Sequence, residues 1–256
     1  TMKGYAKPLH EFIEGHKIQF VIPVYQRNYD WLIDNCDQLY SDLVKLSRSN
    51  RCSHFFGSIV TSSADSSYNR LVIDGQQRLT TISLLLLAGI KAVKDGAMEI
   101  SEESKIDEAY EVFLKGKFCN SERKIKLVPI ENDRIAYDKI FNEEDSFDED
   151  SKVTRNYRHF YDLLTRKPQA LSFDQLLDAI ERLQIISIEL DSDDDAQLIF
   201  ESLNSTGLAL TEADKIRNYL LMSLTSEEQH MCFKNYWQKI EQATENRPTK
   251  FLRDYL

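Results

Sequence analysis

The sequence is poor in residues that staple, kink or loosen a chain. Four cysteines, Cys36, Cys52, Cys119 and Cys232, are scattered over 256 residues without a C-x-x-C pair. A chain of this length does not need disulfides to fold, so the thiols are read as reduced and the protein as cytoplasmic. Zinc-type spacing is also missing: His10-Glu11 opens like a metalloprotease helix, but His16 arrives too late for H-E-x-x-H, and no metal site is expected. Eight glycines and five prolines exclude collagen-like and low-complexity classes. The longest apolar stretch, 82–90, is interrupted by Ser83 and falls well short of the roughly 18–20 residues of a membrane span. No signal-peptide pattern opens the chain, and Thr1 ahead of Met2 suggests a piece of a longer protein. Basic residues are outnumbered, 32 Lys+Arg against 42 Asp+Glu, for a net charge of −10. Bulk charge therefore argues against a protein that coats nucleic acid, and DNA contact would need a local basic face. Lys91, Lys94, Lys115, Lys117, Arg123, Lys124 and Lys126 are the candidates for one.

What is present supports a real core, with 42% hydrophobic and 11% aromatic residues. The pattern predicts an α+β fold: a small mixed sheet in the N-terminal part, followed by a mainly helical subdomain. Extended segments are expected at 17–24, 54–61, 70–73, 185–190 and, weakly, 125–128. Asp30 is expected to cap a helix reaching Leu46, with Trp31, Leu39, Leu43 and Leu46 on one side. The 54–61 and 70–73 runs, joined by a polar turn at 62–67, read as a hairpin. Asp74-Gly75 stops the second strand, and a helix over 76–94, apolar all round at Leu84 to Leu87, should be central and buried. Further helices are expected at 101–115, 131–141, 151–166, 172–183, 194–203, 211–224 and 226–245. The acidic run 143–150 reads as a solvated loop between subdomains. Residues 1–100 and 101–256 are taken as two parts packed as one domain, the second returning one strand near 185–190.

Three clusters carry the chemistry. In Leu71-Val-Ile-Asp-Gly-Gln-Gln-Arg-Leu-Thr-Thr81 a strand ends, Gly75 turns, and a helix starts at once. Such a turn points free N–H groups and the positive end of the helix dipole at one spot, where a phosphate fits. Arg78 can fork onto phosphate oxygens, Gln76 and Gln77 can orient a water or a base edge, and Asp74 can hold a divalent ion or polarise water. A plain Asp-Gly turn with Asp74 as helix cap and Arg78 paired to an acid is the bland alternative. In Ile22-Pro-Val-Tyr-Gln-Arg-Asn-Tyr-Asp-Trp31, Tyr25, Tyr29 and Trp31 surround Gln26 and Arg27, either as a base-stacking wall or as core at a helix entry. In 200–218, Gly207 suits a helix stop and Thr211 with Asp214 is close to a capping box, which leaves Asn204, Arg217 and Asn218 without a local role. Asp214 and Arg217, three apart, can pair. Phosphate-loop, nucleophile-elbow and G-x-G-x-x-G motifs are absent. Asp107 with Glu122-Arg-Lys124 makes half a nuclease motif, at a spacing common by chance in a chain with 29% charged residues.

Together, P-x-Y-Q-R-x-Y-x-W, F-G-S-I-V, V-I-D-G-Q-Q-R-L-T-T and F-E-x-L-N-x-x-G-x-x-L-x-x-x-D-x-I-R-N resemble the N-terminal domain family of GmrSD-type modification-dependent restriction enzymes, over about Lys7 to Tyr219. The resemblance implies a sheet of the ParB/sulfiredoxin-like kind and a nucleotide-triphosphate-using domain in bacterial defence against phage or modified DNA. It implies Gly75, Gln76, Arg78, Thr80 and Thr81 at the nucleotide phosphates and Asp74, Gln77 and Arg78 in catalysis. Tyr25, Gln26, Arg27, Asn204, Asp214, Arg217 and Asn218 become walls of the same cleft. NTP, with Mg2+, is the implied cofactor; modified DNA and a C-terminal nuclease domain or separate subunit are the implied partners. No HNH motif is present, so hydrolysis of nucleotide rather than cleavage of DNA is expected. The rival is a DNA-binding sensor or protein-interaction module without catalysis of its own.

Overall fold

The computed structural model describes residues 3–63, 68–116, 124–166, 170–191, 194, 196–204, 210–244 and 247–255. Six strands form one mixed sheet: β1 (Lys3–Pro8), β2 (Gln19–Val21), β3 (His54–Ser63), β4 (Asn69–Asp74), β5 (Leu127–Val128) and β6 (Leu183–Leu190), in the order β1-β6-β3-β4-β2-β5. β3 and β4 pair antiparallel as the expected hairpin; residues 64–67 of its turn lie outside the described residues. β6 lies between β1 and β3, antiparallel to the first and parallel to the second. Both β4 and β5 run parallel to β2.

The helices are α1 (Leu9–Ile13), α2 (Ile33–Arg48), α3 (Gln76–Lys94), α4 (Ser104–Ala109, continued by a π turn to Leu114), α5 (Glu131–Phe141), α6 (Lys152–Thr165) and α7 (Phe173–Glu181), then α8 (Ala196–Asn204), α9 (Glu212–Leu221), α10 (Ser226–Cys232, continued by a π turn to Trp237), α11 (Gln238–Ala243) and α12 (Pro248–Tyr255). α3 is buried almost all round, as its unbroken apolar run requires, and α2, α6 and α7 close over it in one large core. The other face of the sheet packs Val60, Ile73 and Leu190 against Phe200 of α8. A third cluster seats Val24 and Tyr25 on Ala213, Leu221, Phe233 and Trp237. Among the described residues no helix is long and apolar enough to cross a membrane.

Four expectations change. Asp30 does not cap α2: the helix starts at Ile33, where Asn35 Oδ1 accepts the Leu32 N–H at 2.9 Å, and the Asp30 carboxylate takes Lys152 instead. Trp31 accordingly precedes the helix, whose buried stripe is Cys36, Leu39, Leu43 and Leu46. β1, α1 and α12 are additional elements; β1 is an exposed edge strand held by β6 rather than by its own composition. The candidate basic face is dispersed: Lys91 pairs with Asp95, Lys94 with Glu143, and Lys126 is 1% exposed with its ammonium on the Ile13 and Val112 carbonyls. Lys117, Arg123, Cys119 and Glu122 lie outside the described residues. The 143–150 segment is an exposed link from α5 to α6, as its charge dictates.

Candidate functional site

β4 delivers Asp74 to the end of the sheet, and the chain then turns through Gly75 into α3. Gly75 is the N-cap residue, with φ +98°, a conformation that L side chains rarely adopt. A Cβ there would also stand 3.0 Å from Ile59. Among the described residues no side chain caps the first turn. Its N–H groups are thus left with the positive end of a 19-residue helix behind them.

Arg78 is held by a second glycine. β3 bulges between Phe55 and Gly57, and Gly57 has φ +122°. A Cβ on Gly57 would meet the Arg78 guanidinium at 2.6 Å. The bare backbone lets the guanidinium lie against the strand, where Nη1 donates to the Ser58 carbonyl at 3.2 Å. Arg78 is half-buried and makes no ion pair among the described residues, so most of its fork is free. Burial raises the pKa of the neighbouring Asp74 carboxyl, against the pull of Arg78, the Gly75 N–H and Arg27.

Gln76 and Gln77 face inward. Gln76 Nε2 donates to the Arg27 carbonyl at 2.9 Å and to Gln26 Oε1 at 3.4 Å. Gln77 Oε1 accepts the Asp30 and Trp31 N–H groups at 2.8 and 3.2 Å, and its Nε2 donates to the Asn28 carbonyl at 3.3 Å. Thr81 donates to the Gln77 carbonyl at 2.7 Å and meets the Tyr29 hydroxyl at 2.7 Å, which also receives Asn156 Nδ2. Thr80 is 2% exposed. The paired glutamines and Thr81 therefore fasten residues 26–31 to the start of α3. Gln26 completes the joint, donating to the Ile73 carbonyl at 2.7 Å.

The third cluster arrives on α9. Thr211 and Asp214 form the expected capping box. The expected Asp214–Arg217 pair is present at 2.9 Å, and it belongs to a larger knot. Arg217, 3% exposed, also donates to Glu241 Oε1 and to the Tyr25 carbonyl, each at 2.9 Å. Its guanidinium lies 5.8 Å from the Trp237 ring centre, and Trp237 Nε1 donates to the same Glu241 oxygen. Asn218 is 2% exposed, and its Oδ1 has no hydrogen-bond partner among the described residues. Tyr25 is buried, with its phenol pushed well above the usual range by that burial.

Arg27, Asp214 and Arg217 line one cleft of about 280 Å³ with Asn28, Asp30 and Glu241. None of residues 74–78 lines that cleft; its connection to the turn is the hydrogen bond from Gln76 to the Arg27 carbonyl. Tyr25 instead lines a separate cavity of about 620 Å³ with Pro23, Ile73 and Phe233. The Asn204 side chain and Gly207 lie outside the described residues. Sequence reasoning missed Gly57, Asp133, Asn156 and Glu241. Only Gly57 left a trace, a lone glycine inside a strand pattern, which marks a bulge or a close approach.

Residues 9–221 match the sequence model of the family described as GmrSD restriction endonuclease, N-terminal domain. No curated protein matches the chain.

Proposed function

Because the chain belongs to the N-terminal domain family of GmrSD restriction endonucleases, we propose that it serves a restriction system by binding and hydrolysing a nucleoside triphosphate at the 74–78 turn. One observation carries the reading: a helix start behind a left-handed Gly75 that no described side chain caps, with an Arg78 fork beside it that the described residues leave largely unspent. The free N–H groups, the helix dipole and the guanidinium all belong to the first turn of α3, and all favour phosphate. The likeness of G-x-x-R to the phosphate motif of ParB-like proteins supports the same reading.

In this reading Gly75 admits the phosphate and the first-turn N–H groups bind it. Arg78 stabilises negative charge developing on the transferred phosphoryl oxygens. Gln76, Gln77 and Thr81 position the site, since their polar atoms are engaged in holding residues 26–31. Thr80 supports α3 from inside. Among the described residues no group of three or more His, Cys, Asp or Glu can cage a metal. Asp74 is the carboxylate at the turn that would hold a Mg2+ arriving with the phosphates, and an ion that keeps several waters needs few protein ligands. Bound there, Mg2+ would neutralise phosphate charge; Asp74 would orient it. Gln76 donates to the Arg27 carbonyl and Arg27 lines the cleft of the Arg217 knot, a route by which the state of the phosphates would reach α9.

The domain acts with a nuclease supplied by a further domain or a separate subunit, and modified DNA is its target. Phosphate release from each of the four NTPs, with and without modified DNA, tests the assignment. Release abolished by Arg78→Ala in a folded protein supports it; wild-type release from that variant ends it.

A further inference from the structure

The cavity of about 620 Å³ that Tyr25 lines lies where two parallel neighbours, β2 and β5, both end. Ile22 and Pro23 follow the first strand, Pro129 and Ile130 the second, and all four border the space. The carboxyl ends of parallel strands are the usual place for a ligand on an open α/β sheet, and the volume is that of a small-molecule site. None of residues 74–78 lines this cavity. Its floor is flat and apolar, since Leu71 and Ile73, two apart on β4, share one face of the sheet. Phe233, from the π turn that continues α10, adds an aromatic wall.

Two observations mark this space for a ligand. Tyr25 is 4% exposed, and its hydroxyl has no hydrogen-bond partner among the described residues. That hydroxyl is not among the partnerless polar atoms shut off from solvent, so it borders open space, and this is the cavity that Tyr25 lines. A buried hydroxyl with no bond is costly unless a visitor supplies one. The second observation is charge. In a chain of net charge −10 the lining carries Arg134, Lys234 and His230 against a single acid, Glu131. Arg134 and Lys234 make no ion pair or side-chain hydrogen bond among the described residues, whereas Lys91, Lys94 and Lys152 are all paired. Gln229 spends Nε2 on the Leu224 carbonyl at 3.1 Å and keeps Oε1 as an acceptor. An apolar slot with a phenol donor, an amide acceptor and two unspent cations suits a flat ring with polar edges and an anionic tail.

We propose that this cavity binds a nucleoside monophosphate as a site separate from the 74–78 turn. The base lies between the Leu71–Ile73 floor and Phe233, with Tyr25 and Gln229 at its edge, and the phosphate is held by Arg134 and Lys234. The shared chemistry has two sources, a free mononucleotide or the phosphorylated end of a DNA strand. Calorimetric titration with dCMP and dAMP and, separately, with a short single-stranded DNA carrying a terminal phosphate distinguishes them.

Arg134→Gln with Lys234→Gln alters side chains that hold no described partner and is expected to weaken binding about tenfold, the loss of charge-assisted bonds. Tyr25→Phe is expected to weaken it about fivefold without lowering the melting temperature, because the hydroxyl bonds nothing in the unliganded protein. Lys139→Gln with Lys239→Gln, cations of α5 and α11 that do not line the cavity, is expected to change nothing. Arg78→Ala is expected to retain the binding. This pattern with either kind of probe supports the site, and the probe that binds more tightly names the source. No binding of any probe overturns the proposal. So does binding that Tyr25→Phe or the Arg134–Lys234 pair leaves unchanged, or that the control pair weakens as much. Equal affinity for the same nucleosides without phosphate overturns it too, as does binding lost in Arg78→Ala, which would return the mononucleotide to the 74–78 turn.

Discussion

Two arginines, one on α3 beside the 74–78 turn and one buried on α9, are used in opposite ways. Arg217 is sealed in, with two carboxylates, a backbone carbonyl and an indole face satisfying its fork. Arg78 is half-buried, rests on a strand through one carbonyl, and has donors to spare among the described residues. Neutralised charge of the first kind builds structure, because removing either partner strands a buried ion. Unspent charge of the second kind suits a ligand that comes and goes. The use of an arginine is thus read by counting which donors are left over.

The sharpest test of the contrast is Arg217→Ala, expected to destabilise the fold by about 3–5 kcal/mol because Asp214 and Glu241 lose their shared counter-ion in a buried place. Chemical denaturation reads this directly, and a loss below about 1 kcal/mol would mean that water replaces the arginine freely. Arg78→Ala should do the reverse, with stability almost unchanged while nucleotide affinity drops about ten- to a hundredfold, the worth of a charge-assisted bond or two. Unfolding of that variant would make the two arginines alike.

Gly75→Ala should cost roughly 1–2 kcal/mol for a left-handed alanine. Gly57→Ala should displace the Arg78 guanidinium, so nucleotide affinity should fall although no ligand-facing side chain is altered. Equal affinity for the Gly57 variant and the parent protein would show that the guanidinium is not fixed by the strand.

The smallest effect concerns Asp133, whose pKa burial pushes up to about 6. A carboxyl raised in the folded state contributes stability below its unfolded value near 4, and that contribution is lost as pH rises through 6. Asp133→Asn should therefore be the more stable protein at pH 7–8, by on the order of 1 kcal/mol, since a weaker bond from the Tyr29 N–H offsets part of the gain. The advantage should vanish between pH 6 and 4 in a melting series. A constant difference across that range would mean that Asp133 is not the titrating group.

Much of this architecture is legible in the residue order, for local reasons. α3 begins and ends where Gly75 and the close of the apolar run put it, and α5 spans 131–141 as read. The Thr211–Asp214 box is likewise a four-residue matter. Elements that escaped depend on distant partners. Lys3 to Pro8 carries little strand character of its own and is extended because residues 184–189 offer it a ladder. The roles of Gln76 and Gln77 were not legible either, since their acceptors and donors lie about fifty positions earlier. Glu241 stands 24 residues from Arg217 in the chain, and only the fold brings the two together.

The place of β6 has a consequence for how the molecule is made. The sheet needs residues 183–190 between a strand from the first ten residues and a strand near residue 60. During synthesis, therefore, β1 and β3 emerge early and wait with open hydrogen-bonding edges while more than a hundred further residues are added. An edge left open in this way invites pairing with another nascent chain. The late arrival of one strand makes the interval before residue 190 clears the ribosome the period in which a holding chaperone would matter most.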